Sequence, residues 1–301
     1  MHTTQSLLLS LLATQTAAHG VVTTIRGANG VDMPGLSVAD GTPRDCSTNR
    51  CGSQADTAII RNREIRSGEV GPLGRTQGNG PIDAATMISN FMAGTPAPTN
   101  NGTGVGVEDN LSGAFSGGGG GRNRAQNKSR LRLARQFLQG LFGGGGTESA
   151  VATENNVAAT RGAGASAGLP TCGDDGSIEM VFHQINQDGA GPLTAEVDGT
   201  SGGTEEAAFQ SAEVTQDVPG VGFQGLSLAT SRDFPLTVQM PAGMVCEGTV
   251  AGVNNVCVVR VRNGAAAGPF GGSAAFTQSA PARKRAVEIG MKRRAMREFT
   301  A

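Results

Sequence analysis

Residues 177–186, SIEMVFHQIN, decide the fold. Ile178, Met180 and Phe182 alternate with Glu179, Val181 and His183. An apolar side chain at every second position marks a strand with one face on a core. On this reading Ile178, Met180 and Phe182 point inward, and His183 shares the opposite face with Glu179, toward water or a partner residue. Downstream, QDGAGP at 187–192 is turn chemistry leading into a strand at 193–197. Phe234, Leu236, Val238 and Met240 alternate in the same way. So do Cys257, Val259 and Val261, which turns Arg260 and Arg262 away from the core as surface charge or as hydrogen-bond donors to a site. Upstream, residues 21–26 read as a strand. Short strands separated by Gly/Pro turns predict an all-β antiparallel β-sandwich.

The sandwich does not take the whole chain. Residues 1–18 hold an apolar run from Leu7 to Leu12 and end Thr16-Ala17-Ala18, small residues where a signal peptidase reads. They are expected to be a secretory leader, and no later apolar run is long enough to span a bilayer, so the product should be exported and soluble. The ordered body then comprises residues 19–92 and 169–278. Between them, 93–168 is a Gly-rich insert with Gly runs at 117–121 and 143–146 and sequons at Asn101, Asn110 and Asn127, expected sites of N-glycosylation. Such a composition buries too little apolar surface to offset chain entropy, so the insert is expected to be mostly disordered.

Charge divides along the same lines. Of 24 basic residues, six lie in 122–135 and seven in the tail from Arg283 to Arg297, so 11 remain in the rest of the chain against 23 acidic residues. An acidic body excludes nucleic acid as its partner. Within the insert, Leu131, Ala134, Leu138 and Leu141 fall at helical spacing among arginines. Residues 122–142 therefore form either a membrane- or polyanion-touching helix or a transient helix in a tether. The tail, 279–301, is expected to be disordered and basic. Its steps Lys284-Arg285 and Lys292-Arg293-Arg294 stand either as processing sites or as plain solvated charge.

Five cysteines in an exported chain suggest disulfides. Cys46 with Cys51, five apart, and Cys246 with Cys257, eleven apart, are the expected local pairs. Cys172 is left over, either buried or paired between chains. Cleavage after Ala18 would leave His19 as the first residue and His183 as the one further histidine. An N-terminal histidine carries an imidazole and an α-amine that titrates near pH ~8, and so chelates a metal by itself. His183 would complete three nitrogens, a set that suits Cu(II). The alternative is a different cut and two ordinary surface histidines. No other His-paired nucleophile, paired-carboxylate motif or phosphate-binding Gly loop stands out.

Three blocks carry a resemblance: HGVV at 19–22 with DGTPRD at 40–45, FHQINQDGAGP at 182–192, and the long block at 234–272 ending AGPFGG. Together they resemble the Egh-like virulence-factor family of filamentous fungi, secreted proteins associated with appressoria and host penetration. The last block and the mature start are also similar to fungal lytic polysaccharide monooxygenases. The resemblance implies an immunoglobulin/fibronectin-like sandwich with a histidine brace, in which His19 and His183 hold one copper and Phe270 either covers the axial side without donating or is a core aromatic next to a Gly turn. It implies a factor acting at cell-wall polysaccharide (chitin, cellulose or pectin), either as a copper-dependent oxidase or as a copper- or glycan-binding effector or wall protein, and the chain is expected to be a monomer. The chain departs from the monooxygenase pattern in having no Trp or Tyr for stacking on sugars, and in Ser273 where that pattern carries a cysteine.

Overall fold

The computed structural model describes residues 19–100, 146–187, 189–220, 227, 229–265 and 268–300. Thirteen strands form among them: β1 (Gly20–Arg26), β2 (Asp32–Pro34), β3 (Ala58–Ile59), β4 (Arg75–Thr76), β5 (Gly80–Pro81), β6 (Thr147–Glu148) and β7 (Ser177–Gln184), then β8 (Thr194–Asp198), β9 (Phe209–Gln216), β10 (Arg232–Gln239), β11 (Gly248–Val250), β12 (Val253–Arg262) and β13 (Phe270–Phe276). Their ladder order is β2-β1-β7-β10-β9-β8-β12-β13-β3-β4-β5, with β6 on β10 and β11 on β12. Strand β9 pairs β10 on one edge and β8 on the other, so a single antiparallel sheet curls into a half-barrel. The all-β, sandwich-like class is the one the alternation predicts.

Register explains why the alternating segments build the core. Phe182 faces Phe234, Met180 faces Leu236 and Ile178 faces Val238 across the β7/β10 ladder. All six are buried, and cross-strand pairs of this kind are the unit of sheet stability, each large side chain contributing about 1.5–3 kcal/mol by burial. The two ends of the curled sheet then meet where β13 crosses β1. A Cβ on Gly272 would lie 2.6 Å from the Val22 amide nitrogen, so only glycine permits that approach.

Of the two surroundings expected for His183, water or a partner residue, the fold supplies the second, Asp233 on β10. His183 is fully buried, as is Gln184 beside it, because β7 lies between β1 and β10 and segments of the chain cover its end. The fold departs from expectation in three places. Arg260 is not surface charge. Strand β12 is buried on both faces from Val256 to Val261, and Arg260 is held by Glu196 at 2.8 Å and Glu206 at 2.6 Å, over the Phe209 ring at 4.1 Å. Burial alone would lower its pKa, but the two carboxylates outweigh that effect and hold the guanidinium charged.

The insert is narrower than 93–168. Thr147 and Glu148 pair with β10, and the backbone of Glu154 exchanges hydrogen bonds with Gly41 and Thr42. Asp40 accepts from the amides of Val157 and Ala158 at the start of the helix Asn156–Ala159. These polar contacts between distant segments leave no periodic trace in the sequence. Asn101, Asn110, Asn127, the 122–142 stretch and the expected leader at 1–18 lie outside the described residues.

Nor is the described part of the tail irregular: residues Ala280–Thr300 form a helix. Ala282 and Ala286 are buried and Ile289 is half-buried, at helical spacing. Arg283 donates to the Cys246 carbonyl and to Asn255 at 3.0 Å each. Ala, Lys and Arg are strong helix formers, so a charged composition and a packed helix are compatible.

Both expected disulfides, Cys46–Cys51 and Cys246–Cys257, are formed. Cys172 is free and buried, and burial foremost, with Asp175 and Asp174 nearby, pushes its thiol pKa up. A neutral, enclosed thiol is unreactive. In the native protein no thiol should react with an aromatic disulfide reagent, and one should react after denaturation. Rapid labelling of the folded chain would show that Cys172 is accessible.

Candidate functional site

The site is assembled by the β1/β7/β10 ladder. Val21 is registered opposite His183, and the His19 carbonyl accepts from the Ile185 amide at 3.0 Å, extending the pairing past the start of β1. His19 and His183 therefore occupy diagonal positions on neighbouring strands, about 7–8 Å apart in a regular ladder and within reach of long side chains. The two histidines that stand out in the sequence are thus brought to one end of one strand pair.

His19 is fully buried and enclosed on several sides. Its ring lies 4.2 Å from that of Phe270, centroid to centroid, tilted by 38°. Phe270 reaches it from β13, the strand whose Gly272 allows close approach to β1. The backbone N–H of His19 donates to Asn186 Oδ1 at 2.7 Å, and the Asn186 amide nitrogen lies 3.5 Å from His19 Nδ1. The two nitrogens of His19 that could chelate a metal thus both face the carboxamide of Asn186. A Cβ on Gly189 would strike the His19 carbonyl, so a glycine there lets the loop after β7 close over the histidine main chain.

His183 is held from the other side. Asp233, directly opposite it on β10, accepts from Nδ1 at 2.6 Å. A carboxylate acceptor selects the Nδ1–H tautomer and leaves the Nε2 lone pair free. That Nε2 is buried and has no hydrogen-bond partner. A buried polar atom left so costs about 1–3 kcal/mol, which an ion or another bound group would recover. A histidine whose second nitrogen is fixed by a carboxylate is also the usual arrangement around a metal ligand.

Among the described residues no group of three or more His, Cys, Asp or Glu side chains is gathered as a metal site. A centre here would thus need a main-chain nitrogen beside the two imidazoles. Arg260 takes no part, its partners being Glu196, Glu206 and the Pro72 carbonyl. Sequence reasoning misses Asp233 and Asn186. Asp233 is findable by aligning Phe234 with Phe182 across an antiparallel pair, which sets Asp233 opposite His183. Asn186 ends the SIEMVFHQIN stretch, but nothing in the pattern marks it.

A family profile described as Egh16-like virulence factor matches residues 17–271. The chain is 50% identical over 294 residues to the appressoria-specific virulence factor GAS2 of Pyricularia oryzae, covering 97% of this chain and 94% of that protein. It is 42% identical over 129 residues to the appressoria-specific virulence factor GAS1 of the same fungus, covering 42% of this chain and 50% of that one. No solved structure matches.

Proposed function

The chain belongs to the Egh16-like virulence-factor family, and on that premise we propose that it is an exported, appressorium-stage factor that binds one copper ion and acts at cell-wall polysaccharide. The observation that carries the copper reading is His183: Nδ1 fixed by Asp233, Nε2 buried with no partner, and its strand position diagonal to His19.

In the processed protein the nitrogen of His19 is an amine. It can keep its hydrogen bond to Asn186 through one proton and still present a lone pair, while the Nδ1 of the same ring, which faces the Asn186 amide nitrogen at 3.5 Å, would give its one lone pair to the metal in place of that contact. His183 supplies a third nitrogen, and Asp233 keeps that ring from rotating. Phe270 lies against His19 with no lone pair to offer, leaving that side without a protein donor. The surrounding buried shell excludes water and strengthens electrostatic interactions inside. Copper bound by these nitrogens would supply one-electron redox chemistry for activating dioxygen or peroxide against a glycan C–H bond.

A second reading, copper or glycan binding without catalysis, is favoured by the full burial of both histidines, which closes the candidate centre to a polymer chain. Two proteins test the proposal: one beginning at His19, and the same protein with its terminal amine acetylated. Cu(II) affinity of the first should exceed that of the second by about a hundredfold or more, since acetylation converts the amine to an amide and adds no new donor. Equal affinities would overturn the copper reading. Oxidised oligosaccharides released from chitin, cellulose or pectin in the presence of a reductant support catalysis, whereas tight binding without product from any of them supports the second reading.

A further inference from the structure

The packed C-terminal helix divides its cations between two jobs. At about 100° per residue, Ala282, Ala286, Ile289 and Arg293 share the side turned to the body. Arg293 donates to the Ala242 carbonyl at 3.0 Å, and Arg283 is tied to Cys246 and Asn255. Lys284, Lys292 and Arg294 are exposed, and Val287 and Met291 stand among them at 42% and 57% exposure. Three of the four exposed large apolar side chains among the described residues lie on this helix. Glu288 is the one acid between Ala280 and Arg297.

We propose that this helix is a docking surface for an anionic lipid membrane, on which it lies flat. Charge complementarity is one support. Outside this helix and residues 122–135 the chain is acidic, 11 basic residues against 23 acidic, so a negatively charged surface is repelled by the body and attracted by the helix. The second support is the position of Val287 and Met291. An anionic polysaccharide would engage the cations and leave these two side chains in water. A bilayer takes both, with cations at the headgroups and the apolar pair at the acyl boundary. No described helix is long and apolar enough to cross a membrane, which fits an interfacial pose. Nothing in this arrangement depends on the copper site.

The test is flotation of the full chain with phosphatidylcholine vesicles, alone or mixed with phosphatidylserine. Binding is expected only to the mixed vesicles and should fade toward ~1 M salt, where the screening length is about 3 Å. The triple variant Lys284→Gln, Lys292→Gln, Arg294→Gln should bind about a hundredfold more weakly, roughly fivefold per cation. The pair Val287→Ser, Met291→Ser keeps every charge and should lose about tenfold or more on vesicles, with unchanged binding to polygalacturonate. Circular dichroism confirms that each variant keeps the helix. Failure to bind the mixed vesicles overturns the proposal. Vesicle binding undiminished by the serine pair overturns it as well, in favour of a plain polyanion surface.

Discussion

Replacing Arg44 by Met is expected to cost the fold about 3–5 kcal/mol, a large share of the stability of a typical domain. Arg44 is fully buried in the DGTPRD block. Its guanidinium donates to both oxygens of Asp56, at 3.0 and 2.6 Å, and to Glu154 at 3.0 and 2.9 Å. Burial by itself would lower its pKa, and the two carboxylates overcome that and raise it, so the group stays charged. The cluster also joins distant parts of the chain, since Glu154 lies 110 residues beyond Arg44. Removing the cation leaves two buried carboxylates without their shared partner. For a body of this size each kcal/mol moves the melting temperature by roughly 2–4 °C, so a fall of about 10 °C is expected in calorimetry. The triple variant Arg44→Met, Asp56→Leu, Glu154→Leu should recover much of the loss, because an apolar replacement of a buried ion cluster is often neutral. An Arg44→Met protein that melts with the wild type would show that the cluster carries no stability.

The second large effect concerns the candidate centre. In a protein beginning at His19, His183→Ala should lower Cu(II) affinity by about a hundredfold or more, while Asp233→Asn should lower it by about 10–100-fold with no ligand removed. The two variants separate a donor from a positioning residue. His183→Ala should alter the nitrogen hyperfine pattern in electron paramagnetic resonance, and Asp233→Asn should keep that pattern with weaker binding. His183→Ala with wild-type affinity would mean that copper, if bound, is held elsewhere. Since His183 is buried against Val21 and Asp233, thermal unfolding of both variants must be followed in parallel to distinguish lost affinity from lost structure.

The candidate site is partly legible because two of its parts are rare. The chain has only three histidines, and one of them follows a leader-like segment, so His19 and His183 stand out. Asp233 and Asn186 do not, because aspartate and asparagine are common near strand ends and turns. What distinguishes them is a partner 50 or 167 residues away. Phe270 enters through a block-level resemblance, and its stacking on His19 depends on β13 crossing β1 at Gly272, a meeting of the two ends of the sheet.

Alternation in β7 and β10 determined the strand class and one buried face, because side chains in a strand change sides at every residue regardless of what lies beyond. Spacing likewise singled out the two short disulfide loops, though five cysteines by themselves leave the connectivity open, and the fold closes both. Burial of the opposite face could not be read in this way. His183, Arg44 and Arg260 are polar by type, and only the return of remote segments over them removes water and supplies Asp233, Glu154 and Glu206 as partners. The helix at the C-terminus belongs with these, since its charged composition is equally compatible with a solvated coil. The difference was made by Ala282, Ala286 and Ile289 meeting the body, a contact fixed by tertiary packing and not by local propensity.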